Sequence, residues 1–233
     1  MRKLFVATGM ALGLAFAQSA VASSHDHEHH DEMAQVKGIV KNLLKDNEAF
    51  VKGHKAEYFK AFTEGQRPRA TVVTCSDSRV HTHALDKTPD SDLFMVRDIG
   101  NQIATAEGSV EYGVHHLHTP LLIVIGHSAC GAIKAASGDY SSLSTPIKRE
   151  LDTIKIGKGV ENMEGVKTNV NNQVEYALKK FAAEVKEGKL TVVGAVYDFR
   201  NDLKQGYGKL VITNLNGETD AAKIKQSPLL SMK

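Results

Sequence analysis

Cys75 and Cys130 are the two cysteines of this 233-residue chain, and both stand among residues able to do chemistry. Cys75 lies in Thr74-Cys75-Ser76-Asp77-Ser78-Arg79, and Cys130 in Gly126-His127-Ser128-Ala129-Cys130-Gly131. Two thiolates and the imidazole of His127 offer three ligands, the number a catalytic zinc site uses while its fourth tetrahedral position holds water. A structural zinc would want a fourth protein ligand. The competing reading is a Cys75 to Cys130 disulfide, the ordinary use of two cysteines in an exported chain. A disulfide needs neither an imidazole three residues before one cysteine nor an Asp-x-Arg two residues after the other. His127 alone would more often be a hydrogen-bonded core residue, and Asp77 with Arg79 a local ion pair. Their joint occurrence is the specific signal.

Such residues must be carried by elements that bring them together. Short β-type runs occur at Ala70 to Thr74, Leu93 to Val96, Leu121 to Ile125 and Leu190 to Val196. Helical patterns fall between them, from Glu107 to His118 and along Val166, Val170, Val174, Leu178, Phe181 and Val185. Continuous apolar strands alternating with helices predict an α/β fold with a central, mostly parallel sheet flanked by helices. Lys209 to Leu215 follows the Tyr207-Gly208 turn and is expected to add a C-terminal edge strand. Cys75 follows the first predicted strand and Cys130 the third, and open α/β sheets place ligands outside the carboxyl ends of their strands. Upstream, Val36, Ile39, Val40, Leu43 and Leu44 recur at helical spacing, and a second segment passes through Phe50, His54, Tyr58, Phe59 and Phe62 before Gly65 and Pro68. This is an N-terminal helical arm.

The N-terminus reads as an export signal: Arg2 and Lys3, an apolar run from Leu4 to Ala17, then Ala20-Val21-Ala22 as a small-x-small cleavage site. The run is shorter than the roughly 20 residues of a membrane span, so residues 1–22 are expected to be cleaved and the mature chain to be periplasmic or secreted, with no membrane attachment. Loss of Arg2 and Lys3 brings the 29 basic residues level with the 27 acidic ones. That balance gives no electrostatic footprint for nucleic acid. Residues 23–32 hold four histidines interleaved with acids and nothing apolar, which predicts a disordered tail, with loose capture of a transition metal as the alternative. Residues 33–233 then form one α/β domain, without internal repeat or interdomain linker.

Cys75-Ser76-Asp77-Ser78-Arg79-Val80 with Gly126-His127-Ser128-Ala129-Cys130-Gly131-Ala132 resembles the signature of the β-class carbonic anhydrases. The resemblance continues through Phe94 to Asn101, Gly108 to Tyr112 and Tyr197-Asp198-Phe199. It implies one zinc per chain on Cys75, His127 and Cys130, with Asp77 and Arg79 as a catalytic dyad beside the activated water. Because two thiolates cancel the charge of the dication, a neighbouring acceptor gains importance, and Asp77, oriented by Arg79, supplies it. The amide of Gly131, at the start of the following helix, is expected to position an oxygen of bicarbonate.

By the same resemblance, Gln66, Phe94, Ile99 and Tyr112 correspond to the substrate pocket of plant-type members, and His116 to a proton shuttle. Members pair tightly, with part of the pocket supplied across the interface, so a homodimer or a multiple of dimers is implied. Val72 stands where members with an inhibitory bicarbonate pocket carry Trp, so no such site is expected. Asp98 replaces the usual Asn, Gly100 the usual Ala, and Asn201-Asp202 the usual Thr-Gly. An added carboxylate at Asp98 would oppose an anionic product unless a cation neutralised it. The implied reaction is reversible hydration of carbon dioxide, the small-molecule partner. Hydrolysis of carbonyl sulfide or carbon disulfide on the same fold is the enzymatic alternative, and non-catalytic zinc binding the other.

Overall fold

A computed structural model describes residues 32–231. The export segment 1–22 and residues 23–31 of the His-rich tail lie outside them; Glu32, the last tail residue, opens the first helix. The chain divides into two compact units, one ending at Phe59 and the other beginning at Lys60. In the first unit, α1 (Glu32–Gly53) follows the predicted apolar stripe, with Glu32 in its first turn and Lys52 in its last, as the helix dipole favours. None of its residues is buried. A second helix, α2 (Ala56–Lys60), begins after His54 and Lys55.

The second unit is built on five strands, β1 (Ala70–Cys75), β2 (Leu93–Asp98), β3 (Leu121–His127), β4 (Thr191–Asp198) and β5 (Lys209–Leu215). Their order is β2-β1-β3-β4-β5, parallel throughout except for the antiparallel edge pair β4-β5. This is the expected α/β architecture with its edge strand. All six residues of β1 are buried, as a strand covered on both faces requires. Its helices are α3 (Glu107–Glu111), α4 (Gly131–Ser137), α5 (Thr145–Leu151), α6 (Asn162–Lys180), α7 (Ala182–Lys186) and α8 (Ala221–Gln226). Among the described residues no helix is long and apolar enough to cross a membrane.

The long helix α6 begins where the Glu161 carboxylate accepts hydrogen bonds from the amides of Met163 and Glu164. It sits low on the sheet because two strand residues lack side chains. A Cβ on Gly126 would come within 2.7 Å of Val166 Cγ1, and one on Gly194 within 2.7 Å of Val170 Cγ1. Val166, Val170, Val174 and Ala177 are buried along the facing stripe. The expected continuation to Val185 is interrupted. Phe181 leaves helical geometry (φ −107°, ψ 33°) and buries its ring completely, and α7 resumes after it.

The predicted helix from Glu107 to His118 also differs in detail. It is α-helical only to Glu111, then widens into a π-helical turn from Tyr112 to His116, with Leu117 N bonding to Tyr112 O at 2.9 Å. Gly113 explains the change of pitch: its backbone lies against Thr71 of β1, and a Cβ there would fall 2.1 Å from Thr71 Oγ1. Such π turns often occur at functional sites.

Candidate metal centre and active site

β1 ends at Cys75 and β3 at His127, on neighbouring parallel strands. The turn through Ser128 and Ala129, the latter at φ 52°, then delivers Cys130 to the N-cap of α4. Both cysteines are free thiols. The two sulfurs and one ring nitrogen lie within 4.8 Å of one another, and all three residues are buried. His127 Nδ1 lies 3.0 Å from the Ser128 carbonyl, the geometry of an N–H donating to it, which leaves Nε2 as the unprotonated nitrogen. Nε2 is buried and has no hydrogen-bond partner. A buried ring nitrogen in that state is costly unless a cation faces it, so the donor set fits a metal ion.

The thiols are tuned by their mutual contact. A hydrogen bond with Cys130 holds the Cys75 thiol well below its ordinary value against its own burial, helped by His127 and by the amides of Gly100 and Asp77. The same contact, with burial, pushes the Cys130 thiol up. Gly100 N donates to Cys75 Sγ at 3.5 Å.

Beside the ligands, Asp77 and Arg79 form a fork. Arg79 Nε donates to Asp77 Oδ1 at 2.8 Å and Nη2 to Oδ2 at 2.6 Å, while the Arg79 amide also reaches Oδ1 at 3.0 Å. These bonds hold the Asp77 carboxyl far below the usual carboxylate range, although its partial burial opposes them. Asp77 Oδ2 lies 3.9 Å from His127 Nε2, so the dyad faces the ligand cluster. Arg79 is fixed in turn by the Ala129 carbonyl at 3.2 Å and by the ring of Phe199, 4.9 Å from its guanidinium carbon. Phe199 also stacks on His127 with centroids 6.0 Å apart.

Three further groups steady the loops. Arg97 donates to the carbonyls of Cys75 at 3.1 Å and of Asp77 at 2.8 Å, so its charge is used on the loop and not on Asp98. Asp198, fully buried at the end of β4, accepts from Ser128 Oγ at 2.6 Å and from the amides of Asp202 and Leu203. Burial works to raise its carboxyl, but these bonds prevail and hold it low. Asp98 directs Oδ1 to the Gln102 amide at 2.6 Å, and burial pushes its carboxyl up to about 7. Phe199, Arg97 and Asp198 were legible only as parts of matching stretches; the contacts that tie them to the site join residues 20 to 120 positions apart.

The expected pocket residues divide into two groups. Ile99 packs against the cluster containing Cys75 and Cys130, and Gly131 opens α4 directly after Cys130. The others gather elsewhere. Phe94 and Tyr112 have ring centroids 5.8 Å apart, Tyr112 stacks on His116 at 4.5 Å, and Gln66 shares a surface depression with Tyr112, Ser91 and Leu117. Phe94 is in register with Thr71, four residues before Cys75 along β1, a separation of about 13 Å at the usual strand rise. Within one chain these side chains do not meet the metal ligands.

Residues 70–204, which span all the strands but β5 and the whole ligand cluster, match the carbonic anhydrase family model. The chain belongs to the β-carbonic anhydrase family. It is 30% identical over 191 residues to a carbonic anhydrase of Mycolicibacterium smegmatis, covering 72% of this chain and 93% of the relative. It is 29% identical over 177 residues to carbonic anhydrase 2 of Mycobacterium tuberculosis, covering 67% and 86%. The fold is also that of the β-carbonic anhydrase CcaA, with a TM-score of 0.64 at 23% identity over 78% of this chain and 88% of that one. A tetrameric β-carbonic anhydrase from Sordaria macrospora superposes with a TM-score of 0.60 at 23% identity, covering 75% and 96%. The family and its named relatives make this β-carbonic anhydrase an enzyme.

Proposed function

We propose that this chain catalyses the zinc-dependent, reversible hydration of carbon dioxide to bicarbonate and a proton, as an exported protein with plant-type pocket residues. The observation that carries the reading is the pairing of an unpartnered, buried His127 Nε2 between two thiols with the Asp77–Arg79 fork beside it. Cys75, His127 and Cys130 would hold one zinc per chain; thiolate and imidazole donors suit that metal. When bound, zinc supplies the Lewis acidity that makes water a nucleophile near neutral pH.

The chain's own groups do the rest. A carboxylate oxygen carries two lone pairs, and Arg79 Nη2 takes one on Asp77 Oδ2, leaving the other for the hydrogen of the attacking water. Asp77 thereby turns that water's free lone pair toward carbon dioxide. Arg79 keeps Asp77 off the metal and Phe199 keeps Arg79 in place. Ile99 walls the site, and the Gly131 amide receives a product oxygen. Gln66, Phe94 and Tyr112, remote from the ligands within a chain, complete the pocket of a second copy, which makes the active unit a homodimer or a multiple of dimers. His116, exposed beside Tyr112, carries the released proton, as histidine commonly does near neutral pH.

The test is a stopped-flow carbon dioxide assay on metal-quantified protein lacking residues 1–22. Turnover proportional to zinc content is expected; zinc-loaded protein that does not accelerate hydration above background would overturn the reading. Carbonyl sulfide offered in the same assay separates the sulfur-substrate alternative.

A further inference from the structure

α6 packs in the same core cluster as Cys75 and Cys130, and it sends two amide side chains toward the backbone behind Cys75. Asn169 and Gln173, 1% and 6% exposed, meet Gln102, which is fully buried. Their bonds form a closed set. Asn169 Nδ2 donates to the Gly100 carbonyl at 2.9 Å, and Gln102 Nε2 donates to the same carbonyl at 2.6 Å and to Asn169 Oδ1 at 2.8 Å. Gln173 Nε2 donates to Gln102 Oε1 at 2.9 Å, where Thr153 Oγ1 also donates at 3.2 Å, and Gln173 Oε1 accepts from the Ile103 amide at 2.8 Å. Three buried amides are a costly choice for a core unless each atom is paired for a purpose beyond filling space.

The object they hold is Gly100. Its carbonyl receives two of these bonds, and its amide donates to Cys75 Sγ. Gly100 stands at φ +82°, a conformation that L side chains rarely adopt, and a Cβ there would come within 2.7 Å of Ile154 Cδ1. Gly100 is thus gripped through the peptide group that follows it, while the N–H of the peptide group that precedes it points at the Cys75 sulfur. A hydrogen bond to sulfur draws charge away from it and leaves less to donate to a metal.

We infer that Gln102, Asn169 and Gln173 are positioning residues that tune the metal through the Gly100 N–H bond to Cys75. The inference rests on the metal reading given above. With two thiolates in the donor set, the metal is electron-rich, and a fixed N–H on one sulfur restores part of its acidity. Loosening the amide set weakens that bond, strengthens thiolate donation and moves the rise of activity to higher pH.

Cobalt(II)-substituted protein tests this without relying on turnover. A sulfur-to-cobalt charge-transfer band in the unaltered protein establishes the metal site itself; its absence would remove the metal reading and this inference with it. With the band present, Asn169→Asp and Gln173→Met should shift it to lower energy and displace the pH–rate profile of the zinc form upward. Thr153→Val, which removes one outer bond of the set together with the bond to the Glu150 carbonyl, should shift the band less and in the same direction, and serves if the inner variants do not fold. Val174→Ala, a fully buried residue of α6 packed in a different cluster, controls for destabilisation alone and should leave band and profile unmoved. An unmoved band in the folded amide variants, or an equal shift in Val174→Ala, would overturn the proposal.

Discussion

Arg79 grips both carboxylate oxygens of Asp77, at 2.8 and 2.6 Å, while Asp77 Oδ2 stands only 3.9 Å from the unpartnered ring nitrogen of His127. One carboxylate is therefore within a short swing of a metal ligand and is held back by one residue, through the guanidinium and the amide of Arg79. The reading of the site as open for catalysis depends on that restraint.

Asp77→Asn should retain zinc and lose at least about 100-fold in turnover, because an amide fills the space without accepting a proton as a carboxylate does. Metal analysis beside stopped-flow hydration checks both halves. Near-normal turnover with full zinc would show that the dyad is not the catalytic element.

Arg79→Ala should also abolish most activity, by a different route. Freed of its partner, Asp77 can reach the metal, and carboxylate oxygen is a competent zinc ligand. Zinc retention equal to or better than that of the unaltered protein, with turnover lost, is the expected combination. Because Arg79 is what holds the Asp77 carboxyl low, the unaltered dyad stays ionised through the ordinary carboxylate range, and the acid limb of its pH–rate profile reflects another group.

Removal of residues 23–32 should leave one tight zinc per chain, since the ligands proposed for it are Cys75, His127 and Cys130. Loss of the tight zinc on this deletion would place the metal in the tail. Chelation of the deleted form should abolish turnover and lower the thermal midpoint.

Asp198 gives a pH dependence of stability with a definite sign. Its carboxyl is held below the unfolded value, so its contribution is complete above the ordinary carboxylate range and fades as pH falls toward the folded value. Asp198→Asn should cost roughly 1–3 kcal/mol near neutral pH through the buried Ser128 and amide bonds it weakens. In urea titrations the gap between the two proteins should narrow in acid. A gap that widens in acid would reverse the assignment.

Sedimentation at assay concentration should find a dimer or a multiple of dimers, because Phe94 lies about 13 Å along the sheet from Cys75 of its own chain, and Tyr112 and Gln66 gather on its side. A fully active monomer would contradict the shared pocket.

Much of this was legible in the chain. Buried parallel strands leave continuous apolar runs, so β1 and β3 could be located, and with them the strand ends carrying Cys75 and His127. Features fixed by packing at a distance were not. The π turn after Glu111 answers to Thr71, some forty residues earlier, and the break at Phe181 answers to the core cluster in which its ring is buried. Gln102, Asn169 and Gln173 read locally as polar residues of a loop and a helix; only the fold joins them.

β1 and β3 are inner strands of the sheet, each paired on both sides, whereas Cys130 sits beyond them on a two-residue turn with Ala129 at φ 52°. The amides of the inner strands should exchange with solvent only when the whole unit opens. The turn is tied as firmly: Ser128 Oγ donates to Asp198, Arg79 to the Ala129 carbonyl and Asn162 to that of Cys130, whose side chain is buried in the same core cluster as Cys75. The three donor residues are therefore expected to keep one slow clock and to open together with the whole unit.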